Sequence, residues 1–265
     1  MGIKIETSLS TFADFVGQRN KLQIEPHRLA LLAGNPLSPV AIIAPYGGGK
    51  TNLARLLIKA YCCPYRTSTG DPCHTCPTCL EQGPKHNGAG WFHRHFEFDC
   101  TRLNKADIRR RLRAVNCEDG TAVCWDEFAS LGASTTKMFL KTAEDFAGLF
   151  IIAMTSDEYQ TMLPQLYDRM HKLCLTTPSV EEITDFFVTK NQKKWNIATD
   201  RDTLQQMVER TGCGFRACQK TLQVAANMIP PVLDRNLLDT LLPITDRPQQ
   251  CCTLSGLPDN IDYDE

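Results

Sequence analysis

The chain is short of several things, and each shortage removes a class of answer. No run of about 18 apolar residues occurs in its 265 residues, so no membrane-spanning helix is expected. The opening MGIKIETSLS has neither an apolar core nor a cleavage site, so no secretory signal is read there. Glu6 stands where N-myristoylation wants Ser or Thr. Neither charge sign dominates: 29 basic and 30 acidic residues give a formal net charge of −1, so any nucleic-acid contact must come from a local patch. No internal repeats are found. Cysteine, in contrast, is abundant at 13 residues. Without an export signal the protein is expected to be cytoplasmic, where metal binding and buried free thiols outrank disulfides. A hydrophobic content of 42% supports an ordinary core, and the length fits one large domain or a large one with a small one.

One stretch organises the rest. Val40-Ala41-Ile42-Ile43 reads as a buried strand. Ala44-Pro45-Tyr46-Gly47-Gly48-Gly49-Lys50-Thr51 reads as a glycine-rich turn. From Asn52, Leu53, Leu56, Leu57 and Ala60 fall on one face of a helix. Strand, glycine-rich turn, Lys-Thr and helix is the context a phosphate-binding loop requires. Glycine lets backbone N–H groups turn toward an anion, and the helix start adds unpaired donors and partial positive charge. Lys50 is expected to reach the β- and γ-phosphates of ATP, and the Thr51 hydroxyl to ligate Mg²⁺. Ala44 occupies the place of the usual first glycine.

Immediately after this helix the cysteines cluster. Cys73-x2-Cys76-x2-Cys79 places three thiols in one tight turn, and Cys62 or Cys63 supplies a fourth across about ten residues. Four thiolates in tetrahedral array make a structural Zn²⁺ site with no open position. His74 is a possible substitute ligand, whereas His86, His93 and His95 read as surface or loop histidines. Segment 64–79 is too rich in Pro, Thr and Gly to be ordered without such a staple.

Further along, Phe96 to Cys100 alternates as a second strand. Asn104 caps a helix to Val115 whose outer faces carry Lys105, Arg109, Arg110, Arg111 and Arg113. That surface is either a solvated basic face or a phosphate-contacting one. Thr121 to Trp125 is a hydrophobic strand ending in Asp126 and Glu127, some 75 residues after Lys-Thr. Asp126 is expected in the Mg²⁺ shell, with Glu127 polarising the attacking water. A helix is expected over Ser134 to Asp145, then a buried strand from Leu149 to Met154. Thr155, at that strand's tip, is placed to orient water or touch the γ-phosphate.

After Pro178 the pattern becomes helical. Ser179 and Glu182 form a capping box, and further helices are expected at about 200–210, from Gly214 to Pro230, and over Asn236 to Leu242. Another helix is expected near the start, from Lys21 to Ala33. The tail from Pro243 reads as mobile.

Taken in order, Phe12-Ala13-Asp14-Phe15-Val16-Gly17-Gln18, the P-loop, the four-cysteine insert, the Asp-Glu strand and Leu140-Lys141-Thr142-Ala143-Glu144-Asp145 resemble the ATPase portion of the gamma/tau subunits of bacterial DNA polymerase III clamp loaders, AAA+ proteins, over residues 12–242. The resemblance implies an α/β P-loop core with a parallel sheet and zinc insert over residues 1–177, a small helical lid over 178–242, and a tail over 243–265. The family's collar domain would begin where the chain stops and is expected to be absent. Residues 44–51 would be Walker A, with Ala44, Pro45, Tyr46, Gly47, Gly48, Gly49, Lys50, Thr51 and Asn52 around the phosphates. Asp126 and Glu127 would be Walker B, Thr155 sensor 1, Arg216 sensor 2, and Arg169 an arginine finger reaching a neighbour's nucleotide. Val16 and Gly17 would lie near the adenine, and Cys63, Cys73, Cys76 and Cys79 would bind zinc, with Cys62 the contender for the first place. The finger here is framed by Asp168 and Met170 where the family has Ser and Cys. The implied partners are other AAA+ subunits in a homo- or hetero-oligomeric ring, DNA, and a sliding clamp or polymerase. Two other readings are a Holliday-junction branch-migration motor on the same core and a nucleotide-binding scaffold that does not hydrolyse ATP.

Overall fold

The computed structural model describes residues 4–5, 9–80, 95–115 and 121–243. His86, His93 and the tail beyond 243 lie outside these residues. The chain divides into two compact units, one of residues 7–175 and one beginning at Thr176 that also includes Ile5.

The first unit is built on a five-stranded parallel sheet: β1 (Val40–Ala44), β2 (His95–Asp99), β3 (Ala122–Asp126), β4 (Leu149–Thr155) and β5 (His171–Cys174), in the order β2-β3-β4-β1-β5. The two central strands, β1 and β4, are apolar at every position but Thr155, the last of β4, because both faces are covered. Alternation still sorts them. Val40, Ile42 and Ala44 face one core with Leu53, Leu56 and Leu57 of α2 (Lys50–Cys62) and Ile24 and Leu31 of α1 (Gln18–Leu32). Ala41, Ile43, Val123 and Trp125 face the other, with Ile108 and Leu112 of α4 (Lys105–Val115) and Phe139 of α6 (Phe139–Asp145). Phe139 is fully buried, its ring meeting Trp125 and Phe128 edge-on with centroids 4.9 Å away in each case. A short α3 (Pro77–Leu80) closes the cysteine loop, and α7 (Pro164–Tyr167) precedes β5.

Several elements differ from the sequence expectation. The helix at α1 begins at Gln18, not Lys21, because Gly17 supplies the backbone turn that starts it. Its end matches a Schellman motif: Gly34 N–H donates to the Leu31 carbonyl at 3.1 Å and Asn35 N–H to that of Ala30 at 2.9 Å. The helix expected over Ser134 to Asp145 is two pieces, α5 (Ala133–Thr136) and α6. A turn at Lys137–Met138 separates them, where Met138 N–H reaches back to Thr135 rather than four residues, which lets Phe139 enter the core. β2 is offset by one residue, so His95 is a buried strand residue and not a surface one, while Cys100 opens a single 3-10 turn capped by Asp99. β5 is absent from the sequence expectation: four residues, two of them basic, carry too little apolar signal, and only pairing with β1 makes them a strand.

The second unit contains α8 (Val180–Lys190), α9 (Arg201–Arg210), α10 (Phe215–Ala226) and α11 (Arg235–Leu241). Ser179 accepts from Glu182 N–H at 3.2 Å and Glu182 accepts from Ser179 N–H at 2.9 Å, completing the capping box. α8 runs into a π-helical turn, Asn191–Trp195, which no local pattern announces and which brings Trp195 into the core. α10 stops at Ala226, short of Pro230: Asn227 caps it, its N–H reaching back only three residues to the Val224 carbonyl at 3.0 Å. Ile5 docks here through Gln223, whose side-chain oxygen accepts its N–H at 2.9 Å, and Gln219, which donates to its carbonyl at 2.6 Å. No helix among the described residues is long and apolar enough to cross a membrane.

Candidate nucleotide site and four-cysteine centre

Ligands of open parallel sheets sit at the carboxyl ends of the strands, near a change of strand order. β1 ends there, and its chain continues into the glycine-rich turn. Ala44 and Pro45 are buried, whereas Tyr46 is 80% exposed. Gly48 N–H closes the turn on the Pro45 carbonyl at 2.9 Å, and a Cβ on Gly48 would come within 2.9 Å of that oxygen. Gly49 is left-handed at φ 86° and caps α2, whose first turn contains Thr51 and Asn52.

Two polar pairs join this loop to β3. Thr51 Oγ1 donates to Asp126 Oδ2 at 2.8 Å. Lys50 Nζ lies 3.1 Å from Glu127 Oε1. Asp126 also accepts from the Glu127 amide at 3.0 Å. Burial raises the Asp126 carboxyl above its ordinary value, opposed by the Thr51 hydroxyl, the Glu127 amide and Lys50. Glu127 adopts a left-handed backbone at φ 51°, an uncommon state for a non-glycine residue and one found preferentially at functional positions. Lys50, at 7% exposure, is a buried cation whose described ion-pair partner is Glu127. Its charge and the amides of the turn are the donors an oxyanion would meet.

Thr155 ends β4 in register with Ala44, so it lies at the same edge of the sheet, and its hydroxyl donates to Glu158. Val16 and Gly17 join the loop through their neighbour: the Phe15 ring touches Gly49, lying 3.4 Å from where a Cβ would stand. The Val16 carbonyl accepts from Asn20 at 3.0 Å. Arg55 and Glu97 form a bidentate pair at 2.8 and 2.6 Å beside this site, and no motif in the sequence points to it.

Arg169 is not brought to this site. It lies two residues before His171, which pairs with Val40 at the start of β1. The length of β1, about 13 Å at its usual rise, separates that edge from the P-loop. The guanidinium instead pairs with Glu144 and the Gln165 carbonyl. Arg216 is exposed in the first turn of α10, in the second unit.

The second centre is clearer. The sulfurs of Cys63, Cys73, Cys76 and Cys79 all lie within 4.8 Å of one another. Cys63–Cys76 and Cys73–Cys79 are each 3.9 Å apart. Tetrahedral zinc with bonds of about 2.3 Å wants sulfurs about 3.8 Å apart, so the set fits. Hydrogen bonds from the Thr75 hydroxyl and the Thr75 and Cys76 amides pull the Cys73 thiol down to about 5, favouring thiolate, whereas burial pushes Cys63 and Cys79 up. Cys62, the last residue of α2, is outside the set, and so is His74, which is exposed at φ 58°. Zinc bound here would cross-link the loop and, with four thiolates, leave no place for a reacting water.

No family model matches the sequence, and none of the curated proteins matches it. Among solved structures the chain is similar to the Thermotoga maritima RuvB Holliday junction branch migration motor, at 14% identity and a TM-score of 0.63 over 89% of this chain and 72% of that one. A variant of the same motor gives 15% identity and a TM-score of 0.65 over the same shares. At that identity the likeness speaks for architecture alone: this chain has the AAA+ fold seen in RuvB, with a five-stranded parallel sheet, a candidate four-cysteine zinc centre and a helical C-terminal unit.

Proposed function

We propose that the protein is an AAA+ ATPase that binds Mg·ATP at the glycine-rich turn, hydrolyses it, and uses the cycle in a DNA transaction. The observation that carries this is the pairing of Lys50 with Glu127 and of Thr51 with Asp126. Two loops 75 residues apart in sequence put a buried ammonium, a hydroxyl and two carboxylates in one place. A triphosphate entering the turn takes Lys50 away from Glu127 and frees that carboxylate to orient water. Thr51 and Asp126 are the oxygens that would hold magnesium, which supplies neutralisation of the developing phosphate charge. Thr155 is at the right edge to contact a γ-phosphate. Arg169, on the opposite edge, is proposed to leave Glu144 and complete another subunit's nucleotide site in trans, as a ring of such subunits requires. Arg216 is the proposed γ-phosphate sensor of the lid.

Within that class two readings are favoured by different observations. The four-cysteine insert after α2 supports a clamp-loader-type subunit, with a sliding clamp or polymerase as partner. The likeness to RuvB supports a branch-migration-type motor. ATP turnover and native mass, measured alone, with primed DNA and clamp, and with a four-way junction, separate them. The stimulating DNA names the reading, and turnover indifferent to both removes the DNA role. Lys50→Ala is expected to abolish retention of labelled ATP; retention equal to the parent overturns the site. Glu127→Gln is expected to keep ATP bound while turnover falls at least about a hundredfold, as for loss of a general base. Unchanged turnover excludes Glu127 from catalysis.

A further inference from the structure

The four-cysteine module is attached to the nucleotide loop at two points. One is α2 itself, which starts at Lys50 and ends at Cys62, with Cys63 next in the chain. The other runs through Asp71, two residues before Cys73. Asp71 is 8% exposed, and its Oδ1 accepts the Phe12 amide N–H at 2.7 Å. Its other oxygen accepts from Thr69 Oγ1 at 2.7 Å, and its own N–H donates to Thr67 at 3.1 Å. A buried carboxylate so held is a fixed anchor: a charge-assisted hydrogen bond with its second oxygen also satisfied. Arg28 of α1 seats the same loop by donating to the Thr69 carbonyl, with Gly70 close against the helix backbone.

Phe12 opens a single turn, Phe12–Asp14, closed by the Thr11–Asp14 capping box. Three residues on, Phe15 is 5% exposed and its ring lies against Gly49. Gly49 is the αL residue that turns the chain into α2, so the Phe15 ring limits where the loop's amides can point. A connected path therefore runs Cys73, Asp71, Phe12, Phe15, Gly49. Without metal, segment 64–79 has few apolar residues to order it, and the Asp71 anchor goes with it.

We propose that the four-cysteine module is a positioning element for the nucleotide loop, acting through Asp71 on Phe12 and through Phe15 on Gly49, so that zinc and ATP each strengthen the binding of the other. This rests on the ATP reading above. Asp71 is a positioning residue and touches neither ligand.

The test uses the full chain loaded with zinc. Zinc affinity is measured by equilibrium competition with a chromogenic chelator, with and without saturating Mg·ATP, and labelled-ATP affinity is measured before and after zinc is stripped. Linkage requires the two shifts to be equal, and they are expected to be about fivefold or more. Asp71→Ala is expected to keep one zinc per chain and lose the shift. Asp71→Asn, which retains an oxygen for the Phe12 N–H, is expected to keep most of it. Parent protein whose zinc affinity ignores ATP overturns the proposal without any variant, and so does Asp71→Ala protein showing the full shift. In both cases labelled ATP is still bound and the nucleotide reading stands. Parent protein that retains no ATP overturns that reading and the proposal with it.

Discussion

The pairs on which the proposed chemistry rests are individual residues whose neighbours could not be read from the chain. Lys50 and Glu127 are recognisable as types in a spacing, but their 3.1 Å contact is a fact of β1 and β3 flanking β4 in one sheet. His27 shows the same lesson outside the site. It lies on α1 at 6% exposure, and burial, with His171 as the lesser cause, pushes it from 6.5 to about 4. The fold thus keeps His27 neutral where the unfolded chain takes up a proton. Its contribution is complete above about pH 6.5 and is lost as pH falls toward 4, amounting at most to about 3 kcal/mol. His27→Gln is expected to flatten the fall in melting temperature between pH 6.5 and 4.5; an unchanged slope would assign that fall to other groups.

At the scale of elements, α4 is the surface with the most at stake. Its apolar side, Ile108, Leu112 and Val115, is buried, and Arg109, Arg110 and Arg113 are exposed. Arg110 is partly engaged with Asp107 at 2.9 Å, and Arg111 lies over the Phe98 ring at 4.8 Å, so the latter serves packing as well as charge. Replacing Arg109, Arg110 and Arg113 with Ala is expected to weaken DNA binding and reduce the slope of log affinity against log salt by roughly one for each phosphate no longer neutralised. A slope equal to the parent's makes the helix a solvated face. Elements also show where pattern reading stops. The Asn104 cap and the α4 stripe were legible, because capping and period are local properties. The break between α5 and α6 was not, because Phe139 is drawn inward by Trp125 and Phe128, residues that lie outside the helix itself.

For the molecule as a whole, zinc at the proposed four-cysteine centre is expected to decide whether the loop 64–79 is ordered. About one zinc per chain is expected by elemental analysis of folded protein. Stripping it is expected to expose 64–79 to protease and lower the melting temperature, with Cys63→Ser reproducing the effect and Cys62→Ser not. Folded protein without zinc removes the metal centre, and equal loss from both variants removes the assignment of Cys63 over Cys62.

By itself the sequence determined the class of fold and marked out the residues proposed for the nucleotide and metal sites. Apolar runs of strand length, glycines before Lys50-Thr51, two carboxylates ending a strand and cysteines at ligand spacing are short-range signals, each set by the steric and hydrogen-bonding needs of a few neighbouring residues. Tertiary structure decided which of those residues meet. It joined Thr51 to Asp126, chose Cys63 over Cys62, buried His95, made β5 a strand, and put Arg169 on the far edge of the sheet. These outcomes depend on strand order and on which side of an element faces the core, and those are settled only when distant segments compete for the same buried space.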